Sequence, residues 1–247
     1  MIKIKSILIT ALCLLLLLPA AQAGMSLTLV GDAWPPYVDR NLPEKGMASE
    51  IVATALKRAG YEPEVKVENW MRVLEGGEIG IYDGIVAAWQ TPERAEKFLF
   101  SDPYYVNTIK LVKHKNADFS FRRIFQEQGL VAGYVEGYAY NEKLKRPQSL
   151  ILVPSNHVLQ NLMKLQQGQI DLTLADEGVL KYQLDNYFSH NKDQFVLDKE
   201  PFSERKLYFM VSKLNPRHAK IVEAFNKSLA EMKKDGSYQQ IVDRHIK

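Results

Sequence analysis

Thr91, Pro92, Glu93 and Arg94 follow an apolar run, Ile85 to Ala88, that ends in Trp89. Threonine can close a helix start by accepting a backbone N–H, and proline suits the first helical position, where its missing N–H would have had no partner anyway. Arg94 then falls in the first turn. A cation there opposes the helix macrodipole unless an anion shares the site, in which case the free N–H groups and the guanidinium fork can both hold it. The stretch therefore outlines an anion pocket with Trp89 at its rim. From spacing alone, a solvated arginine on a short connecting helix is the plainer reading. Asp176 holds the matching place further along, where the apolar run Ile170 to Ala175 ends and a helix begins, and there a carboxylate serves as an N-cap. Trp34 and Tyr37 in the rigid Ala33-Trp34-Pro35-Pro36-Tyr37 loop, and Tyr138 after Gly137, are the other conspicuous side chains, although each aromatic alone reads as packing.

Other chemistry finds no support. The histidines, His114, His157, His190, His218 and His245, show no metal-ligand spacing, and neither a G-x-S-x-G elbow nor a phosphate-cradling glycine loop occurs. No metal or cofactor is expected. The basic cluster Lys143, Lys145 and Arg146 reads as a helix end whose cations favour the dipole.

The elements that must position these residues alternate in type. Ser26 to Val30 is a strand, and Met47, Ile51, Val52, Ala55, Leu56 and Ala59 recur at helical spacing until Gly60. Glu64 to Val67 is a second strand. Asn69 caps a helix holding Trp70, Val73 and Leu74, which Gly76-Gly77 should end, and the strand before Trp89 follows. This βαβαβ order implies parallel strands with right-handed crossovers, and ligands bind beyond the carboxyl ends of such strands. Trp34, Tyr37, Trp89 and Arg94 all fall just after strands, so topology gathers them at one edge and favours the pocket.

A second alternation repeats the first. Leu130 to Val135 is a strand, a helix should run from Gly137 to about Leu144, Leu150 to Val153 is a strand, and Ser155 or Asn156 should cap a helix that Gly168 stops. The turn Gln167-Gly168-Gln169-Ile170 leads into an apolar strand as Glu78-Ile79-Gly80-Ile81 does in the first half. The reading is an α/β chain of two similar lobes, each a mainly parallel sheet flanked by helices: residues 24–112 with 207–247, and residues 113–206. The polar stretch Lys113 to Asp118 and a returning strand, Lys206 to Val211, cross between them and form a hinge.

The chain of 247 residues opens with a basic start, an apolar run from Ile7 to Leu18 and the small-residue ending Ala21-Gln22-Ala23. This is a secretory leader, too short to span a bilayer, with cleavage expected after Ala23. The single cysteine, Cys13, lies inside it, so the mature chain depends on neither disulfides nor thiolate chemistry. Removing Lys3 and Lys5 takes the formal charge from +3 to +1, which gives no electrostatic case for nucleic acid or an anionic membrane. A periplasmic monomer is expected.

Over essentially the whole mature chain, these residues resemble the family 3 periplasmic solute-binding proteins, the polar amino-acid receptors of ABC importers. The resemblance rests on Trp34-x-Pro-Tyr37, the T-x-x-R of Thr91 to Arg94, Phe100-Ser101-Asp102-Pro103-Tyr104, Gly168-x-Ile170-Asp171 with Asp176 five residues on, and Asp235-Gly236 with Ile241. It implies the two-lobed type II binding-protein fold, a small-molecule ligand and an inner-membrane permease as partner. It also implies that Arg94 holds a ligand α-carboxylate and Asp176 the α-amino group. Trp89 and Ala87 stand where relatives place small hydroxylic residues, and Gly137-Tyr138-Ala139 stands where they offer Gly-Thr or Gly-Ser. The ligand is thus expected to be smaller, flatter or more aromatic than usual. The same fold carries a periplasmic dehydratase of the cyclohexadienyl or arogenate type, for which Glu136 and Glu177 would be the carboxyls to test as general acid. A stand-alone sensory protein is a third reading.

Overall fold

The structure is a computed structural model and describes residues 24–140 and 149–246. The proposed leader and most of the helix expected after Gly137 lie outside those residues. The first half runs β1 (Met25–Asp32), α1 (Met47–Arg58), β2 (Tyr61–Glu68), α2 (Trp70–Glu78), β3 (Gly84–Trp89), α3 (Pro92–Lys97), β4 (Phe98–Phe100) and β5 (Tyr105–His114). The second runs β6 (Leu130–Val135), β7 (Leu150–Ser155), α4 (Val158–Gln166), β8 (Leu172–Asp176), α5 (Glu177–Tyr187), β9 (Phe195–Leu197), β10 (Ser203–Ser212), α6 (His218–Asp235) and α7 (Ser237–His245).

The strands stand in the order β2-β1-β3-β10-β5-β8-β6-β7. In the first lobe β1 pairs in parallel with β2 and β3, and in the second β6 pairs in parallel with β7 and β8, as alternation of strand and helix requires. Helices cover both faces of the first-lobe sheet, which explains why all six residues of β3 are buried. Leu27 and Leu29 of β1 face Ile51, Leu56 and Phe225 in the main core, while Val30 turns to the other face against Val73, Ile85 and Phe98. Each such fully buried aliphatic side chain contributes roughly 1.5–3 kcal/mol.

Two long antiparallel strands join the lobes. Within β5, Tyr105 to Ile109 pair with β10, and Ile109 to Lys113 pair with β8 of the second lobe. β10 continues past that pairing to reach β3 and β4 in the first lobe.

Three local readings change. α2 runs through Gly76 and Gly77 rather than ending there, because the glycines admit neighbouring rings: a Cβ at Gly76 would lie 2.4 Å from Tyr82 Cε2, and one at Gly77 2.8 Å from Phe98 Cε1. α4 begins one residue later than expected, with His157 as its N-cap, while Ser155 Oγ donates to Asn161 Oδ1 at 2.6 Å. Residues 136–137 form a turn and 138–140 have no regular structure, so no helix starts at Gly137. Its φ of 74° is open to glycine at little cost and turns the chain back toward the first lobe.

Candidate functional site

Asp32, Trp89 and Asp176 are the last residues of β1, β3 and β8, and the Gly137–Tyr138 segment follows β6, so strand ends from both lobes deliver side chains to one cleft. Thr91 caps α3 by accepting from Arg94 N–H at 3.2 Å, and Pro92 opens the helix. Thr91 itself faces an outer surface hollow with Gln90, Pro92 and Arg205. Its part is to fix the helix start that aims Arg94 inward.

Arg94 is only 7 % exposed. Its Nη1 donates to the Trp89 carbonyl at 2.5 Å and its Nη2 to the Gly137 carbonyl at 2.8 Å, while its guanidinium lies 4.9 Å from the centre of the Trp70 ring. Both acceptors are neutral, and among the described residues no carboxylate forms an ion pair with it. Burial, with the nearby Arg205 adding to it, lowers its pKa to about 10, so the cation persists at neutral pH in a site that would favour an anion.

Arg94 shares a small cavity with Asp32, Trp34, Trp70, Trp89 and Tyr138. Tyr138 comes across from the second lobe, and its ring meets Trp34, Trp70 and Trp89 edge to face at 6.4, 5.8 and 5.7 Å. Its hydroxyl donates to Asp32 Oδ2 at 2.6 Å, and Trp70 Nε1 donates to the Gly137 carbonyl at 2.9 Å. With these rings in place the cavity is small, about 30 Å³. Asp32 is 5 % exposed, and burial pushes its pKa up to about 7 although the Tyr138 hydroxyl and the Ala33 and Trp70 backbone N–H groups act against that rise. Burial likewise carries the Tyr138 hydroxyl well above its ordinary value.

Asp176 and Tyr37 stand on the far side of Trp34, whose ring centre is 4.5 Å from that of Tyr37. The Tyr37 hydroxyl donates to Asp176 Oδ1 at 2.6 Å, and the same oxygen accepts from Val179 N–H at 3.1 Å as the cap of α5. Burial raises the Asp176 carboxyl, and the Tyr37 hydrogen bond opposes that rise. Both residues line a second hollow of about 410 Å³ with Tyr105, Glu177 and Lys181. The structure thus gathers Arg94, Trp34, Trp89 and Tyr138 around one cavity and sets Asp176 and Tyr37 beside another. Asn107 on β5 links them in part, accepting from Trp89 Nε1 at 2.9 Å.

Sequence reading did not single out Asp32 or Trp70. Asp32 carried the usable signal, since it ends a strand two residues before Trp34 and obeys the same strand-end rule as Trp89. Trp70 follows its cap Asn69 in the first turn of α2, where nothing in the spacing separates a site residue from packing.

The fold and cleft define a two-lobed solute-binding protein. A family model for bacterial extracellular solute-binding proteins, family 3, matches residues 28–247, and the chain belongs to that family. A probable histidine-binding protein of Campylobacter jejuni is 22% identical over 231 residues, covering 91% of this chain and 87% of the relative. An ancestral arginine-binding protein solved with arginine matches with a TM-score of 0.78 at 22% identity, over 91% of this chain and 100% of that one. The ancestral amino acid-binding protein AncCDT-1, described as a precursor of cyclohexadienyl dehydratase, matches with a TM-score of 0.73 at 22% identity, over 90% and 95%. The structural likenesses speak for the type II periplasmic binding-protein fold. Among the described residues no helix is long and apolar enough to cross a membrane, and no cluster of three or more His, Cys, Asp or Glu could hold a metal.

Proposed function

We infer that this protein is the periplasmic receptor of an ABC importer for a small, carboxylate-bearing, amino-acid-like ligand, held between the lobes with Arg94 as the anion anchor. One observation carries the reading: a buried guanidinium in the first turn of the helix after β3, in an aromatic cleft between lobes, whose acceptors are neutral carbonyls. A bidentate arginine–carboxylate pair is geometrically specific, and a hydrogen bond to a charged group contributes about 1.5–3 kcal/mol. A micromolar ligand requires roughly 8 kcal/mol, which one carboxylate, one further polar contact and aromatic burial supply once closure costs are deducted.

In this reading Trp34, Trp89 and Tyr138 enclose the ligand and Thr91 holds Arg94 in position. Tyr37 and Asp176 tie the two lobes together next to the cleft. The lobes are residues 24–112 with 207–247 and residues 113–206, and they swing about the paired strands β5 and β10. The leader Met1 to Ala23 is removed on export, and the mature chain meets the inner-membrane permease as a monomer without nucleic acid or cofactor. Names of relatives such as histidine-binding and arginine-binding protein support an amino-acid-like ligand.

A dehydratase would need a desolvated general acid; Glu136 and Glu177, the carboxyls expected for that role, are both exposed, and the buried carboxyl of the Arg94 cavity is Asp32, so turnover has to be measured directly. Thermal shifts with a panel of amino acids, small acids and amines test the receptor reading, with prephenate and arogenate turnover measured alongside. A concentration-dependent shift that Arg94→Ala abolishes is expected. An equal shift in the variant contradicts the site, and turnover of either acid favours the enzyme.

A further inference from the structure

Among the described residues the buried carboxyls are Asp32 and Asp176, and both are already supplied with donors. One oxygen of Asp176 accepts the Tyr37 hydroxyl at 2.6 Å and the Val179 N–H at 3.1 Å, and the Asn107 side chain and the Gly178 N–H support the same carboxyl. The start of α5 is shaped for that tyrosine, since a Cβ on Gly178 would lie 2.6 Å from the Tyr37 hydroxyl oxygen. Tyr37 and Asp176 line the outer hollow rather than the Arg94 cavity. Asp32, the carboxyl at that cavity, is held by the Tyr138 hydroxyl and by the Ala33 and Trp70 N–H groups. Positive charge is supplied differently: Arg94 bonds neutral carbonyls, and Arg205 adds a second cation close by. A carboxylate set on Arg94 gains from both cations. An ammonium on the adjoining carbon would enter the same positive field, out of water, with no carboxylate left to receive it.

We propose that Tyr37 occupies on Asp176 the place that a ligand ammonium would need, so that the cleft binds simple carboxylates and does not require an α-amino group. This rests on the receptor reading of the Arg94 cleft. It makes Tyr37 the residue that sets specificity, and it leaves Asp176 as a tie between the lobes rather than a ligand contact.

Titration calorimetry on matched pairs tests this, each pair an L-amino acid and the same acid without its amino group: alanine and propionate, leucine and isocaproate, phenylalanine and hydrocinnamate, histidine and imidazole propionate, glutamate and glutarate. In every pair that binds, the plain acid is expected to bind as tightly as the amino acid to within about three-fold, or more tightly. A charged hydrogen bond from the ammonium would instead give the amino acid an advantage of about ten-fold or more. Asp176→Asn keeps the shape and an N-cap oxygen, and it should leave the ratio within each pair unchanged, whatever it does to closure of the lobes. An amino acid that binds wild type more than about three-fold more tightly than its plain acid overturns the proposal and leaves the receptor reading intact, as does a ratio that falls ten-fold in Asp176→Asn. Binding by no member of any pair overturns both.

Discussion

Arg94 and Asp32 are two buried charges of opposite sign in one small cavity, and each constrains what a substitution can do. Arg94→Lys keeps the charge but loses the planar fork, so a carboxylate ligand should bind roughly ten-fold more weakly, and Arg94→Ala should cost about 100-fold, both read by calorimetry. A lysine variant that binds like wild type would show that the fork is not used. Asp32 gives a pH signature. Its carboxyl ordinarily titrates at 3.8 but in the fold at about 7, so between those values the folded protein binds the proton more tightly than the unfolded chain. Stability from this group is therefore full at low pH and is lost as pH rises through about 7. Asp32→Asn removes the penalty, so its unfolding free energy should gain on wild type from pH 4 to pH 8, by on the order of a few kcal/mol at the upper end, read by urea unfolding at each pH. Asp176 is shifted the same way in both proteins and cancels from the difference. A gap between variant and wild type that is flat with pH would show that Asp32 is not buried as a carboxyl.

At the scale of elements, the glycines of α2 are packing devices. Gly76→Ala would bring a Cβ to 2.4 Å from the Tyr82 ring, and overpacking of this kind costs about 1–3 kcal/mol, measurable by urea unfolding. An unchanged midpoint would show that Tyr82 moves freely. These glycines also show where sequence reading stopped. Periodicity and capping residues placed the longer strands and helices of both lobes but not the short strands β4 and β9, because hydrophobic spacing and the caps Asn69, Thr91 and Asp176 act locally. Whether a glycine ends a helix or admits a ring depends on what lies across from it, and Tyr82 and Phe98 are not in the local window. The same limit governs the site. Strand ends marked Trp34, Trp89 and Arg94 as neighbours, but that Asp32 would be buried beside them depends on Tyr138 arriving from the other lobe. Nor does spacing reveal that Asp176 bonds to Tyr37 instead of facing the Arg94 cavity.

At the scale of the whole molecule, the lobes meet through a few strong polar contacts and an aromatic cluster. Tyr37 to Asp176, Tyr138 to Asp32, and Arg94 and Trp70 to the Gly137 carbonyl join strand ends, the loops after them and first helical turns across the cleft. The paired strands β5 and β10 connect the lobes, so opening can proceed as a rotation that breaks these contacts while leaving each core intact. A ligand that binds only the closed form stabilises it by about 2.7 kcal/mol at a hundred times its dissociation constant. Export adds a prediction at this scale: protein recovered from the periplasm should begin at Gly24 by intact mass, and a chain retaining Met1 to Ala23 would contradict the leader. The most direct test of the central claim is native mass spectrometry of the periplasmic protein beside its Arg94→Ala variant. A small molecule bearing a carboxylate should accompany the wild type and be missing from the variant. A bound molecule without a carboxylate, or one that Arg94→Ala retains, would contradict it.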